Sequence, residues 1–232
     1  MEFTKSLIKG KLVKRYKRFF TDIKVNKEIL TAHCPNTGSM MGLLEENNDV
    51  WISKSDNPKR KLKYTLEIIK VKNNLVGVNT HLANKIVAEG LKKNFFEEFK
   101  KLENVQSEVF YNKETRFDFL INKKEQKIFV EVKNVTLFRD GITAEFPDAI
   151  TSRGSKHLKT LIDAIKNGYK SYLLFLVQIE KMKYFKIAKD IDKEYYDNYL
   201  LAKKAGVKFL AYRCKINQNE IKIEKKIKII DE

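Results

Sequence analysis

Two β-like runs, Arg116-Phe-Asp-Phe-Leu-Ile121 and Ile128-Phe-Val-Glu-Val-Lys133, flank the polar stretch Asn122-Lys-Lys-Glu-Gln126, a pattern that reads as an antiparallel hairpin. A turn centred on Lys124 and Glu125 places Asp118 opposite Glu131 and Arg116 opposite Lys133, with the carboxylate Cβ atoms roughly 5 Å apart. Phe119, Phe129, Val130 and Val132 make both runs apolar enough for a core. Carboxylates carried into a core are costly unless paired or metal-bound.

Residues of these types suit a metal-dependent site that cuts phosphodiesters. A hard cation such as Mg²⁺ or Mn²⁺ takes oxygen ligands, usually one or two carboxylates with water and phosphate oxygens. Lys133, two residues beyond Glu131, projects from the same strand face, where it can orient a water or meet charge developing on the phosphate. The plainer alternative is an acid pair relieved by Arg116 and Lys133 on a solvated sheet.

The chain has 232 residues and 43% hydrophobic residues, enough for one large or two modest folded domains. No apolar run approaches the ~20 residues of a membrane span, and Met1-Glu-Phe-Thr-Lys5 lacks a signal peptide's apolar segment, so the expectation is a cytoplasmic protein without a membrane partner. Cys34 and Cys214 form no redox or metal-binding motif. The absence of a nucleophile elbow, a phosphate-cradling glycine loop and a dinucleotide fingerprint leaves those enzyme classes without support.

A net charge of +17 points to a polyanionic partner, most simply DNA, with RNA equally compatible. Lysine, asparagine, isoleucine and phenylalanine are abundant together, as in proteins of AT-rich genomes, so clustering carries the argument. Lys14, Arg15, Lys17 and Arg18 fall in one basic run, and Lys59, Arg60, Lys61 and Lys63 in a second. Tyr16, Phe19 and Phe20 beside the first run can stack bases.

Residues 1–80 read as short strands, Ser6 to Val13, Phe19 to Val25, Glu28 to His33, Asp49 to Ser53, Lys63 to Val71 and Leu75 to Val78, separated by turn chemistry. Such a series suits a small OB-like barrel that binds nucleic acid on one face. A helix across Asn79 to Lys101 leads into a second domain, 81–232. Glu89 lies on the flank of that helix's apolar stripe, where packing against the hairpin can aim it at the ion as a third ligand. A helix from about Ser152 to Asn167 and a buried strand Ser171 to Gln178 complete a βαβ unit with the hairpin. A helix near Tyr195 to Lys204, a strand Val207 to Cys214 and an edge strand within Glu220 to Ile230 follow. Arg153, Lys156 and His157 lie in the first turns of the crossover helix, where backbone N–H groups attract phosphate. Arg153 is the phosphate contact expected there, and His157 is equally a half-buried structural histidine.

Nearly the whole chain resembles the SfsA family of sugar fermentation stimulation proteins. The resemblance rests on Arg15-Tyr-Lys-Arg-Phe19, His33-Cys-Pro-Asn-Thr-Gly38, Ser55-Asp-Asn57, Val78-Asn-Thr80, Arg116-Phe-Asp118, Val130-Glu-Val-Lys-Asn-Val-Thr136, Phe146-Pro-Asp-Ala149, Arg153-Gly154 and Lys156-His-Leu158. It implies an OB-like barrel followed by a restriction-endonuclease-like mixed-sheet α/β domain of the PD-(D/E)XK type. It also implies sequence-tolerant DNA binding and a link to sugar-utilisation gene expression. By position, the family's acidic pair and lysine are Asp118, Glu131 and Lys133, with Glu89 as the helix carboxylate. Where the motif has Pro-Asp, this chain has Phe117-Asp118. Two readings follow: a DNA-binding protein with a Mg²⁺- or Mn²⁺-dependent nuclease-like site, or a non-enzymatic regulator or architectural protein that keeps the site as a relic.

Overall fold

Alternating burial and turn residues with positive φ build the first half of the chain in a computed structural model that describes residues 1–231. Strand β1 (Ile8–Tyr16) turns into β2 (Phe20–Val25) through Lys17 and Arg18, at φ 46° and 61°. A two-residue turn with Asn26 in the left-handed region leads into β3 (Glu28–His33). Strands β4 (Asp49–Lys54) and β5 (Tyr64–Val71) continue from the other edge of β1. Parallel pairing of Ala32 and His33 with Tyr64 and Thr65 closes β1–β5 into a barrel around Leu12, Ile23, Val50, Ile52 and Leu66. This is the expected OB-like barrel, and β6 (Asn74–Gly77) extends β5 beyond it.

The helix read across Asn79 to Lys101 is shorter. Helix α1 (Ala83–Lys92) lies between 3-10 turns at Thr80–Leu82 and Glu97–Phe99. Asn94 at φ 52° stops it: its N–H reaches the Leu91 carbonyl while the Phe95 N–H reaches that of Gly90, the Schellman pattern of a left-handed cap.

The second half is a mixed sheet. Strands β7 (Asn104–Phe110), β8 (Arg116–Lys123) and β9 (Gln126–Val135) form a meander. Lys123 pairs with Gln126 and Phe119 with Val130, so the hairpin turns at Lys124 and Glu125 as the sequence indicates. The chain then forms β10 (Leu137–Phe138) and β11 (Thr143–Phe146) before α2 (Ser152–Lys166) crosses to β12 (Lys170–Val177), parallel to β9. After β13 (Tyr184–Ile187), α3 (Lys193–Lys204) crosses to β14 (Lys208–Ile216), and β15 (Ile221–Lys226) returns along the edge. The last expected edge strand is two pieces. Ile227 turns its N–H to Ala211, and β16 (Lys228–Ile229) joins a small sheet ordered β10-β11-β13-β16.

Helix α2 covers one face of the main sheet with Leu158, Leu161 and Ala164, and α1 covers the other with Ile86, Val87 and Leu91. The two halves share hydrogen bonds. Val76 bridges Ile179, the Gly77 N–H reaches the Gln178 carbonyl at 2.9 Å, and Ser39 and Met40 bond to Asp148. The first three residues leave the barrel side for the 217–221 turn, with the Phe3 N–H on the Asn219 carbonyl at 2.8 Å. No helix among the described residues is long and apolar enough to cross a membrane.

Candidate nucleic-acid and metal site

Asp118 stands on the second strand of the meander and Glu131 and Lys133 on the third. Glu131 and Lys133 face α2, where His157 meets both. The Asp118 Oδ2 accepts the Val132 N–H at 2.7 Å, which pins it across the hairpin. Its Oδ1 accepts from the side-chain amide of Asn84 on α1, also at 2.7 Å. Burial and the neighbouring Glu131 charge push the Asp118 carboxyl up to about 6.

Glu131 is 3% exposed, and burial alone would raise its pKa. The Lys133 ammonium, 2.6 Å from Oε1, and His157 outweigh that effect and hold it below the usual carboxylate range. The Arg153 Nε donates to the His157 Nε2 at 3.4 Å, and the His157 Nδ1 lies against the Glu131 Oε1 and 3.2 Å from the Lys133 Nζ. The Glu131 Oε2 is buried with no partner among the described residues.

Asp118, Glu131 and His157 line a cleft of ≈ 550 Å³ whose walls include Arg116, Arg153 and Lys156. Arg116 is paired with Glu108 at 2.9 Å and lies over the Phe110 ring; Lys156 is paired with Glu114 at 2.7 Å. Two of the lining cations are therefore balanced by Glu108 and Glu114, Arg153 lies beside His157, and the acidic pair lines the same cleft.

Glu89 does not join the pair. Its carboxylate is held by the Met1 amino group and by Lys93, on the part of α1 that packs toward β15. Among the described residues no three His, Cys, Asp or Glu side chains gather as a metal-binding group. The three-carboxylate set is corrected to two carboxylates, with Asn84 as the helix residue that reaches Asp118. The physical reason is direction: Asn84 and Glu89 are five residues apart, about 140° around the helix, and only Asn84 faces the hairpin. A bound Mg²⁺ or Mn²⁺ still fits, because this ion needs only one or two carboxylates and Glu131 leaves one buried oxygen free for it.

The basic runs fare differently from one another. Lys14, Lys17, Arg18, Lys59, Lys61 and Lys63 are exposed on the barrel. Arg15 is instead a clamp, donating to the carbonyls of Arg18, Asn36, Gly38 and Ser39. Arg60 donates to Thr65 at 2.7 Å, and Arg153 is exposed beside His157. Phe19 is 41% exposed and stacks on His33, and Tyr16 stacks on Phe20 with the Lys14 ammonium over its ring.

The bond between His157 and Glu131 was visible in the sequence only as a histidine beside an apolar stripe. Nothing in the sequence distinguished Asn84 from other helix-flank amides.

A closed five-stranded barrel followed by a mixed sheet with an acid pair and lysine on adjacent strands defines an OB barrel joined to a restriction-endonuclease-like domain. The chain matches the family descriptions "SfsA N-terminal OB domain" over residues 13–78 and "Sugar fermentation stimulation protein RE domain" over residues 81–220. It belongs to the sugar fermentation stimulation protein family, SfsA. It is 74% identical over 231 residues to a sugar fermentation stimulation protein homolog of Pelagibacter ubique (strain HTCC1062), covering 100% of both chains. It is 45% identical over 234 residues to a homolog of Pseudoalteromonas atlantica (strain T6c / ATCC BAA-1087), covering 99% of this chain and 100% of that one. A solved structure, "The structure of Pyrococcus Furiosus SfsA in complex with Ca2+", is similar with a TM-score of 0.90 and 23% identity, covering 100% of this chain and 98% of that one.

Proposed function

We propose that the chain binds nucleic acid, DNA foremost, and hydrolyses a phosphodiester at the Asp118–Glu131 pair with Mg²⁺ or Mn²⁺. The observation that carries this reading is the free, buried Oε2 of Glu131 beside Asp118 in a cleft that Arg116, Arg153 and Lys156 also line. Asp118 and Glu131 would hold the ion, which would supply Lewis acidity to the phosphate. The Lys133 ammonium then neutralises charge developing on the phosphate while His157 fixes the orientation of Glu131. Arg153 and Lys156 are placed to hold flanking phosphates, and the exposed lysines and Arg18 of the barrel to add sequence-independent affinity. The description of the Pyrococcus relative with Ca²⁺ supports a hard-cation site, since Ca²⁺ shares the preference for oxygen ligands. Two buried free cysteines suit a reducing, cytoplasmic setting.

A second reading, a DNA-binding regulator that does not cleave, is favoured by the placement of Glu89 outside the site, which leaves two acidic ligands rather than three. Its connection to sugar utilisation rests on the family description. Labelled duplex, single-stranded DNA and RNA, incubated with Mg²⁺ or Mn²⁺, separate the two. Cleavage by the wild type and none by Asp118→Ala supports the enzyme. Tight binding with no metal-dependent cleavage of any substrate supports the regulator.

A further inference from the structure

Several of the segments by which the chain resembles its family gather in two places. Asp118, Glu131, Lys133, Arg153 and His157 belong to the acidic cleft. Asn36-Thr37-Gly38, Thr80, Asn134, Thr136 and Phe146-Pro147-Asp148 instead line a second cavity of ≈ 230 Å³ between the barrel and the second domain, and the chemistry above uses none of them.

That cavity has the composition of a site for a flat heterocycle. Phe146 is fixed by ring contacts with Phe175 and Tyr195, and with Pro147 and Ile150 it supplies an apolar side. Asn134 and Thr136 supply the polar side. The Asn134 Oδ1 accepts from Gln178, which leaves its Nδ2 to donate, and Thr136 lines the same space. Among the described residues no lysine or arginine lines it. Its charged side chain, Asp148, already accepts the Met40 N–H at 3.0 Å, so a phosphate is not its ligand. Its volume is below the usual range of sites for larger ligands, about 300–1,000 Å³, and suits a single ring system.

Position links the cavity to the cleft. Asn134 follows Glu131 by three residues on one strand, about 10 Å further along it and on the opposite face. Ile150 stands at the lip with 82% of its surface exposed, three residues before Arg153 in the cleft wall. Apolar side chains placed this way enter between base steps and unstack them, and an extruded base is then read by stacking and by hydrogen bonds to its edge.

We propose that this interdomain cavity receives one unpaired nucleobase of the strand whose phosphate lies at the acidic pair, with Ile150 as the wedge and Asn134 and Thr136 as the groups that read the base. The proposal rests on the nucleic-acid reading above and narrows it to substrates with an unpaired or readily unstacked nucleotide.

The test uses the full chain in EDTA, so that cleavage plays no part, and two duplexes carrying 2-aminopurine, one paired and one in a single-nucleotide bulge. The bulged probe should bind more tightly by about tenfold, the size expected of one stacked base. Its emission should change on binding, while that of the paired probe should not. Ile150→Ala, at an exposed position that leaves the fold intact, should bring the two affinities to within about twofold. Asn134→Asp, which keeps the acceptor for Gln178, should do the same. Equal wild-type affinities, or a preference that survives both substitutions, would overturn the cavity assignment while leaving nucleic-acid binding in place. Binding of neither probe would overturn both readings.

Discussion

The side-chain amide of Asn84 donates to the Oδ1 of Asp118 at 2.7 Å, so the first helix of the second domain reaches the acidic centre with an amide and not with a carboxylate. Asp118 is thereby held between an amide on one side and the Val132 N–H on the other, close to the charge of Glu131.

That environment gives a pH prediction. Burial and Glu131 raise the Asp118 pKa from 3.8 to about 6 in the native state. The native protein therefore keeps this proton where the unfolded chain has lost it, and the contribution of Asp118 to stability falls as pH rises through this window. In EDTA, Asp118→Asn should gain stability relative to wild type between about pH 4 and 6, by at most about 3 kcal/mol, and keep the gain above that range. Urea denaturation at a series of pH values measures the difference. A flat difference would show that neither burial nor Glu131 raises the Asp118 pKa in the native state.

Lys133 is both counter-charge and proposed catalytic group. Lys133→Met keeps much of the apolar stem and leaves Glu131 buried beside His157 alone, which should cost about 3 kcal/mol of stability. Divalent metal should raise the melting temperature of this variant by more than that of wild type, because the ion replaces the missing cation, while cleavage is abolished. A smaller metal response in the variant than in wild type would argue against an ion at Glu131.

Arg15 and its neighbours in the first basic run should separate. Arg15→Ala removes a guanidinium that bonds four backbone carbonyls and should lower stability by about 2–3 kcal/mol. Replacing Lys14, Lys17 and Arg18 with alanine should leave the melting temperature within a few degrees and flatten the salt dependence of DNA binding, by about 0.9 in log–log slope for each phosphate no longer engaged. Salt titration by fluorescence anisotropy, paired with thermal melts, would expose the opposite pattern.

Gly38 lies against Asp148 so closely that an added Cβ would meet its carboxylate oxygens at 2.3 and 2.6 Å. Gly38→Ala must displace Asp148 and break its bond to the Met40 N–H. The expected result is a fall in melting temperature with earlier proteolysis between the two domains. An unchanged digestion pattern would mean that this bond does not hold them.

The barrel was legible because its turns declare themselves: Asn26 and Lys72 take positive φ in two-residue loops, and β1 and β2 alternate in burial, while β4 and β5 read as continuous apolar runs. The hairpin register was legible for the same reason, down to the pairing of Lys123 with Gln126. The small sheet was not. Its strands, of two to four residues, have no period to read and pair only after the larger sheet brings them together. The exposed strand Asn104–Phe110 was also missed, since its polar side chains carry no buried alternation. At the site, periodicity places Glu89 and Asn84 on the polar flanks of their helix, but the tertiary docking of α1 decides which one meets Asp118. His157 was legible as a residue, while its partner Glu131 depended on how the crossover helix lies on the sheet.

The backbone bridge from Val76 to Ile179, with the Gly77 N–H on Gln178, ties β6, the strand that extends the barrel's β5, to the second domain's framework. A hinge at this seam would have to break main-chain hydrogen bonds. The spacing between the lysines of the barrel and the acidic pair is therefore a fixed gauge, and a nucleic acid engaging both is measured by length. Substrates too short to span that interval should lose affinity in one step and not residue by residue.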